Sequence, residues 1–383
     1  MTNGWYLIAS PLDKAFVPST ENGFLNNTYD LYRFNQSAEL EWENWKSHVD
    51  NDDHYHFDLE PGKGYLYANS GNVTLMFCGT PYSGNGTVNL EYSTVNQNEN
   101  MHGMNLIGNP FATAATIDKP FFRMNEGGTA LTAQVEAGNT VAAMEGVFVQ
   151  ATQEGQTALF TQVNNRGGEK SEVPMINVNL IRNRGEVLSN AIVRFDNGET
   201  LGAFSLREDD SKLYIPQNGK DYAIACVGRD SVHTVSTAEI PVNFKAMQNS
   251  EYTITVNPEN LEMNYLHLID NLTGADLDVL ASPNYTFFAK STDYTSRFKL
   301  VFMANNANLD GKKNDDFAFT INGHLIVTGE GTLQIVDMMG RVLVSKQLST
   351  TNSQLPTADF RLGVYVLRLI NGEEVKTQKI VVK

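Results

Sequence analysis

Basic residues, cysteines and long apolar runs are all scarce in this chain. There are 28 Lys and Arg against 44 Asp and Glu, a net charge of −16. A surface this acidic repels phosphate backbones and anionic headgroups, which argues against nucleic acid and anionic lipid as partners. No run approaches the ~20 apolar residues of a membrane helix, so no membrane span is expected. The N-terminal MTNGWYLIAS has no basic region ahead of an apolar stretch and is not read as a signal peptide. Two cysteines, Cys78 and Cys226, cannot form a disulfide scaffold or a cysteine-rich zinc site. Each lies in an apolar run (TLMFCG, YAIACVG), which predicts two free, buried thiols on strands. Enzyme signatures are missing too. There is no Gly-x-Ser-x-Gly elbow, His-Glu-x-x-His, P-loop or Rossmann glycine run. The chain is therefore read as non-enzymatic, with no catalytic residue assigned. A dispersed carboxylate pair for glycoside hydrolysis leaves no local motif and stays open as the alternative.

What the chain has in abundance is asparagine, 40 of 383 residues, with 30 Gly, 20 Phe and 15 Tyr. Asn and Gly break helices and make turns, whereas aromatics favour strands. The predicted fold class is all-β: tandem β-sandwiches with a C-terminal Ig-like sandwich.

An internal repeat organises the first part. GWYLIASP (4–11) matches GMNLIGNP (103–110), LYRFN (31–35) matches FFRMN (121–125), and GYLYANSGNVTLMF (64–77) matches GVFVQATQEGQTALF (146–160). Three matches in one order predict a duplicated unit over 1–165, with copies 1–82 and 101–163. The copies are expected to form one sandwich, each lending strands to both sheets, with Leu7/Leu106 and Ile8/Ile107 equivalent. The glycines before Tyr65 and Val147 read as bends or bulges. After a polar linker, short strands at sandwich spacing predict a second β-sandwich over 174–303. DGKKNDD (310–316) reads as linker. The last unit, 317–383, has seven Lys and Arg against five Asp and Glu, whereas the preceding residues sum to −18. That shift in composition marks a domain boundary.

Within this last unit, LQIVDMMGRVLVSKQL (333–348) and LGVYVLRLINGEEVKTQKIVVK (362–383) resemble the C-terminal sorting domain of type IX secretion cargo. The family pattern runs strand, Asp-x-x-Gly-Arg, strand, Leu-Pro, Gly-[VI]-Tyr-x-[VL] and a Lys-rich last strand. It falls here on Asp337, Gly340, Arg341, Leu355, Pro356, Gly363, Val364, Tyr365, Leu367, Lys379 and Lys383. The resemblance implies recognition by the secretion machinery. It also implies export to the surface or surroundings of a Gram-negative bacterium. The preceding regions loosely resemble uncharacterised adhesin-like surface proteins. On this basis the expected role is adhesion or accessory ligand binding, with a glycan or a host or surface protein as partner. The alternative is a carbohydrate-binding accessory region of a larger secreted enzyme.

Two clusters are candidate ligand sites. Trp42 and Trp45 sit among charges in LEWENWKSH, a setting that suits sugar stacking, although three residues apart on a strand they face opposite sides. DNDDHYHFD (50–58) offers Asp50, Asp52, Asp53 and Asp58 as oxygen ligands for calcium, with His54 and His56 as alternative metal ligands. The loop lacks the glycine and closing glutamate of the known calcium pattern. A solvated acidic loop is the competing reading, and no cofactor is assigned.

Overall fold

The computed structural model describes residues 4–26, 28–38, 40–46, 56–163, 172–182, 185–227, 238–304, 317–321, 323–349, 352–372 and 374–382. Among them the regular structure is β-strand, with isolated 3-10 turns and no α-helix. No helix of the described residues is long and apolar enough to cross a membrane. Nearly every strand pairing is antiparallel; Glu186–Arg194 runs parallel to Lys220–Cys226. The chain divides into two compact units. One comprises Met1–Cys226, Val242–Asn260 and Asn284–Arg297, and the other Val227–Pro241, Leu261–Pro283 and Phe298–Lys383.

In the first unit, the two sequence-matched segments fold alike. Strands Gly4–Ala9, Gly64–Asn69, Tyr29–Phe34 and Trp42–Asn44 lie side by side in that order. Strands Met104–Gly108, Gly146–Gln150, Phe121–Met124 and Leu131–Gln134 repeat it. The register repeats as well. Leu7 pairs with Leu66 as Leu106 pairs with Phe148, and Tyr32 pairs with Leu66 as Phe122 pairs with Phe148. Each copy forms a sheet of its own rather than lending strands to two shared sheets. Pairing within a copy closes shorter loops and so costs less chain entropy.

Because side chains alternate across a strand, each sheet buries two faces. Leu7, Leu66, Leu106, Phe122 and Phe148 share one core, joined by Ile192, Leu201, Phe204 and Ile224. Phe148 sits at its centre, 5.1 Å from the Phe34 ring and 4.9 Å from that of Phe204. On the opposite face of the second copy, Ile107, Phe121, Val147 and Val149 meet Val88, Ile117 and Phe160. The last three belong to a further sheet of Thr140–Val141, Ala115–Ile117, Thr157–Gln162 and Thr87–Asn89. The opposite face of the first copy is covered differently, by Phe16, Phe24, Phe57 and Leu59.

The copies meet across an approximate two-fold relation. Ile8 bridges to Glu145, and the equivalent Ile107 bridges to Lys63. Ala9 donates its N–H to Met144 O at 3.0 Å, and the equivalent Gly108 donates to Gly62 O at 3.0 Å. This contact explains the glycines before Tyr65 and Val147. Neither marks a bulge, since register is unbroken through both. A Cβ on Gly64 would lie 2.5 Å from Ile107 O, and one on Gly146 would lie 3.0 Å from Ile8 O. Each glycine lets the other copy's backbone approach.

The cysteine expectation needs correction. Both thiols are free, but Cys78 is exposed and Cys226 half-buried. Residues 72–78 form no strand; they run extended beside the first copy, with Met76 N–H bonded to Asn22 O. Leu75 and Phe77 dip into the core there, and alternation turns Cys78 outward. Cys226 donates to Gly198 O, and burial pushes its thiol up to about 11.

The second unit ends in a seven-strand sandwich. Ala318–Ile321, His324–Thr328 and Asn352–Pro356 form one sheet; Val342–Leu348, Gly331–Asp337, Gly363–Asn371 and Glu374–Val382 form the other. Phe317, Leu325, Val327, Leu333, Ile335, Leu355, Leu367 and Ile380 fill the space between. Before it come Met263–Asp270, Ala275–Asp278 and Phe298–Ala304, paired antiparallel. Within this unit Phe319 packs edge-on against Tyr265, 4.9 Å between ring centres.

Candidate functional site

Two of the clefts among the described residues are lined by polar side chains from several strands and loops. The first lies at the end of the four-stranded sheet in the C-terminal sandwich. Strand Gly331–Asp337 turns back through Met338, Met339 and Gly340, the last with φ +83°, a conformation glycine adopts without strain. Asp337 holds the turn: one carboxylate oxygen accepts the N–H groups of Met339 and Arg341 at 2.9 Å, and the other accepts Arg341 Nε at 2.7 Å. Tyr365 pairs in register with Asp337. Its hydroxyl donates to Arg361 O at 2.7 Å, and its ring meets Phe360. Together these residues line a groove of about 930 Å³, with Leu355 and Pro356 along one wall and Gly363 at its edge. Met338, Met339 and Leu362 stand largely exposed around it.

The structure thus draws Asp337, Gly340, Arg341, Gly363 and Tyr365 to one end of the sandwich. Lys379 lies apart. It is exposed, on the last strand, in register with Val366. Lys383 lies outside the described residues. Sequence reasoning missed Gln378, whose Oε1 accepts the N–H groups of both Phe317 and Ala318 at 2.7 Å, tying the first strand to the last. A lone glutamine among exposed strand positions carries no signal of that role.

The hydrogen bonds to Asp337, those from Arg341 foremost, hold its carboxyl below the usual carboxylate range. A folded value below the unfolded one adds stability that is present above the unfolded value. That stability is lost as pH falls through the folded value. Asp337→Asn should therefore lower the melting temperature of the C-terminal sandwich at pH 7. The deficit relative to wild type should shrink below about pH 4, where an unperturbed aspartate takes up its proton. A deficit that stays constant from pH 7 to pH 3 would show that charge at Asp337 is not what holds the turn.

The second place is a cleft of about 340 Å³ in the first unit. Arg33 on Tyr29–Phe34 forms an ion pair with Glu43 on the neighbouring strand, and Asn35 Nδ2 donates to Glu43 at 2.9 Å. Lys63 forms a second pair with Glu91, at 3.0 Å. The Arg33 guanidinium lies 5.2 Å from the centre of the Phe57 ring, which stacks on Tyr65. Burial pushes the Tyr65 phenol well above its ordinary range, so it stays protonated and donates to Asp58 O. Gln36 and Asn105 clamp the segment between the copies at the rim: Gln36 Nε2 and Asn105 Nδ2 both donate to Glu91 O at 2.8 Å.

The tryptophans do not form one platform. Trp42 is half-buried in the core shared by the copies, 6.0 Å from Phe148. Trp45 turns to the opposite side, stacks on His56 at 4.1 Å and donates Nε1 to Phe57 O. Of the acidic loop, Asp50, Asp52, Asp53 and His54 lie outside the described residues. Asp58 is exposed beside the cleft. Among the described residues no group of three or more His, Cys, Asp or Glu is placed to hold a metal ion.

Comparison with known proteins bears on the C-terminal sandwich. The model of the family described as "Secretion system C-terminal sorting domain" matches residues 314–383. No curated protein matches the chain. Among solved structures, a chain described as "Biofilm associated protein - BSP domain" is similar at 8% identity and a TM-score of 0.16, covering 100% of this chain and 96% of that one. A likeness that slight assigns no fold. The sorting-domain match falls on the sandwich whose Asp337 turn and Tyr365 strand form the groove. The chain therefore carries a C-terminal sorting domain and is type IX secretion cargo, exported to the cell surface or extracellular space of a Gram-negative bacterium.

Proposed function

We propose that the exported chain is a non-catalytic binding protein, serving adhesion or accessory ligand capture through the cleft between its N-terminal copies. The observation that carries this reading is the pairing of charges there. Of the four carboxylates that line the cleft, Glu43 is held by Arg33 and Asn35 and Glu91 by Lys63, while Asp58 and Glu60 are exposed to solvent. A general acid or base must be available to exchange a proton with substrate. Carboxylates held by cations instead present fixed donors and acceptors, as recognition requires.

The test is retention of the purified full chain on immobilised collagen, fibronectin, cellulose, chitin and starch. Retention on at least one surface is expected, and Arg33→Ala should abolish it while leaving the circular dichroism spectrum intact. Retention on none, or retention unchanged in Arg33→Ala, overturns the reading. So does turnover of chromogenic glycosides.

A further inference from the structure

The approximate two-fold relation lets each cleft residue be compared with its counterpart. Register makes Arg33 equivalent to Arg123, Glu43 to Thr132, and Lys63 to Glu145. In the second copy the arginine is satisfied across the sheet: Arg123 Nε and Nη2 bond both oxygens of Glu145, at 2.7 and 3.0 Å. In the first copy that position is lysine, which cannot pair with an arginine. Arg33 instead takes Glu43, which stands where the second copy has a threonine. Lys63 turns away to Glu91 in the segment joining the copies. Two differences, Lys63 for Glu145 and Glu43 for Thr132, thus separate side chains that close upon one another in the second copy.

We infer that the space so opened binds the hydroxyl face of a neutral saccharide, and that Lys63 is the residue that keeps it open. This rests on the binding reading above and names its ligand class. The two ion pairs set a donor beside an acceptor twice over: Arg33 with Glu43, and Lys63 with Glu91. Vicinal hydroxyls donate and accept at once, so they match such a pair without displacing it. Asp58 and Glu60 also line the cleft, giving four carboxylates to two cations, a balance that disfavours anionic sugars. Phe57 and Tyr65, both buried, form the apolar part of the lining against which sugar C–H groups would rest. The volume is at the lower end of the ~300–1,000 Å³ typical of ligand pockets.

Calorimetric titration of the full chain with cellotetraose, xylotetraose, maltotetraose and tetra-N-acetylchitotetraose tests this, with tetragalacturonate as the anionic comparison. At least one neutral sugar should bind, and tetragalacturonate should bind at least tenfold more weakly. Lys63→Glu should weaken the neutral sugar at least tenfold, because the new carboxylate would take Arg33 as Glu145 takes Arg123. Lys63→Met removes the same ammonium without supplying a partner for Arg33 and should cost markedly less. Glu43→Gln should weaken binding at least tenfold by a separate route, and Lys379→Ala, in the sorting domain, should change nothing. Melting curves check that each variant is folded. Equal losses in Lys63→Glu and Lys63→Met would overturn the role given to Lys63. Binding that survives both Lys63→Glu and Glu43→Gln places the sugar elsewhere and overturns the site. If no sugar binds while Arg33-dependent retention on collagen or fibronectin persists, the saccharide inference falls and the binding reading stands. If nothing is retained, both fall.

Discussion

Deleting residues 362–383 should leave the protein in the periplasm. The deletion removes Gly363–Asn371 and Glu374–Val382, two of the four strands in one sheet of the sorting domain. With them go Tyr365, Leu367, Leu369, Ile380 and Val382 from its core, and Gln378, which holds the first strand. Five buried side chains at ~1.5–3 kcal/mol each approach or exceed the whole stability of a small domain, so the remainder cannot stay folded. Cell fractionation and immunoblotting read the result directly, and surface levels equal to wild type would refute the sorting role. Loss of export could follow from unfolding alone, so a second variant is needed. Arg341→Ala combined with Met338→Ser and Met339→Ser alters exposed side chains around the groove and leaves the core untouched. If the groove end is what the machinery reads, this triple variant, which loses the exposed Arg341 Nε bond but keeps the backbone bonds to Asp337, should melt only slightly below wild type and still be held in the periplasm.

Replacing Arg194 with methionine should destabilise the first unit by about 3–5 kcal/mol, the range for breaking a buried ion pair from one side. The side chain is 1% exposed. Its guanidinium bonds both oxygens of Glu136, at 2.9 and 2.8 Å, and both oxygens of Asp196, at 2.6 and 2.8 Å. Glu136 follows the second copy's last sheet strand, whereas Arg194 ends the strand Glu186–Arg194 and Asp196 follows it. The arginine therefore joins two stretches of chain through one charge. Without it, the half-buried carboxylates of Glu136 and Asp196 lose the cation that lies between them. At ~2–4 °C per kcal/mol for a unit of this size, the melting temperature should fall on the order of 10 °C. Burial opposes the charged guanidinium, but its bonds to Asp196 and Glu136 win and raise its pKa above the ordinary value. A raised folded value contributes stability that is full below the unfolded value and lost only above it. The deficit of Arg194→Met should accordingly be the same at pH 7 and pH 9. A loss under 1 kcal/mol would mean that the carboxylates find other partners.

Strand periodicity, turn chemistry and repetition were legible in the sequence because each is written in neighbouring residues. Period-2 alternation in GYLYAN and GVFVQA, and the Met338-Met339-Gly340 turn, act over a few positions. The sorting motif is local in the same sense, since Asp337 bonds residues two and four positions on. The cleft was not legible. Glu43, Lys63 and Glu91 gain meaning only when sheet register sets them beside Arg33, and no spacing along the chain encodes that. The tryptophans drew attention by type, whereas their packing against Phe148 and His56 depends on the fold. TLMFC misled because its apolar residues are bought by a neighbouring core without a ladder partner. Gln36, Arg194 and Gln378 were invisible for a common reason: each is a single polar residue that bonds a partner 55 or more positions away.

The two-fold relation between the N-terminal copies has an evolutionary corollary. Had these copies been separate chains meeting as a symmetric pair, one codon would set both symmetric positions. Lysine at residue 63 would then have demanded lysine at residue 145, and Arg123 would have lost its bidentate partner. Fusion into a single polypeptide releases that constraint. One half can keep Arg123–Glu145 as a strut while the other trades it for an opening, and the glycines at 64 and 146 still serve both. The duplication thus gave the molecule a way to break its own symmetry, so that its two halves could be tuned by different mutations.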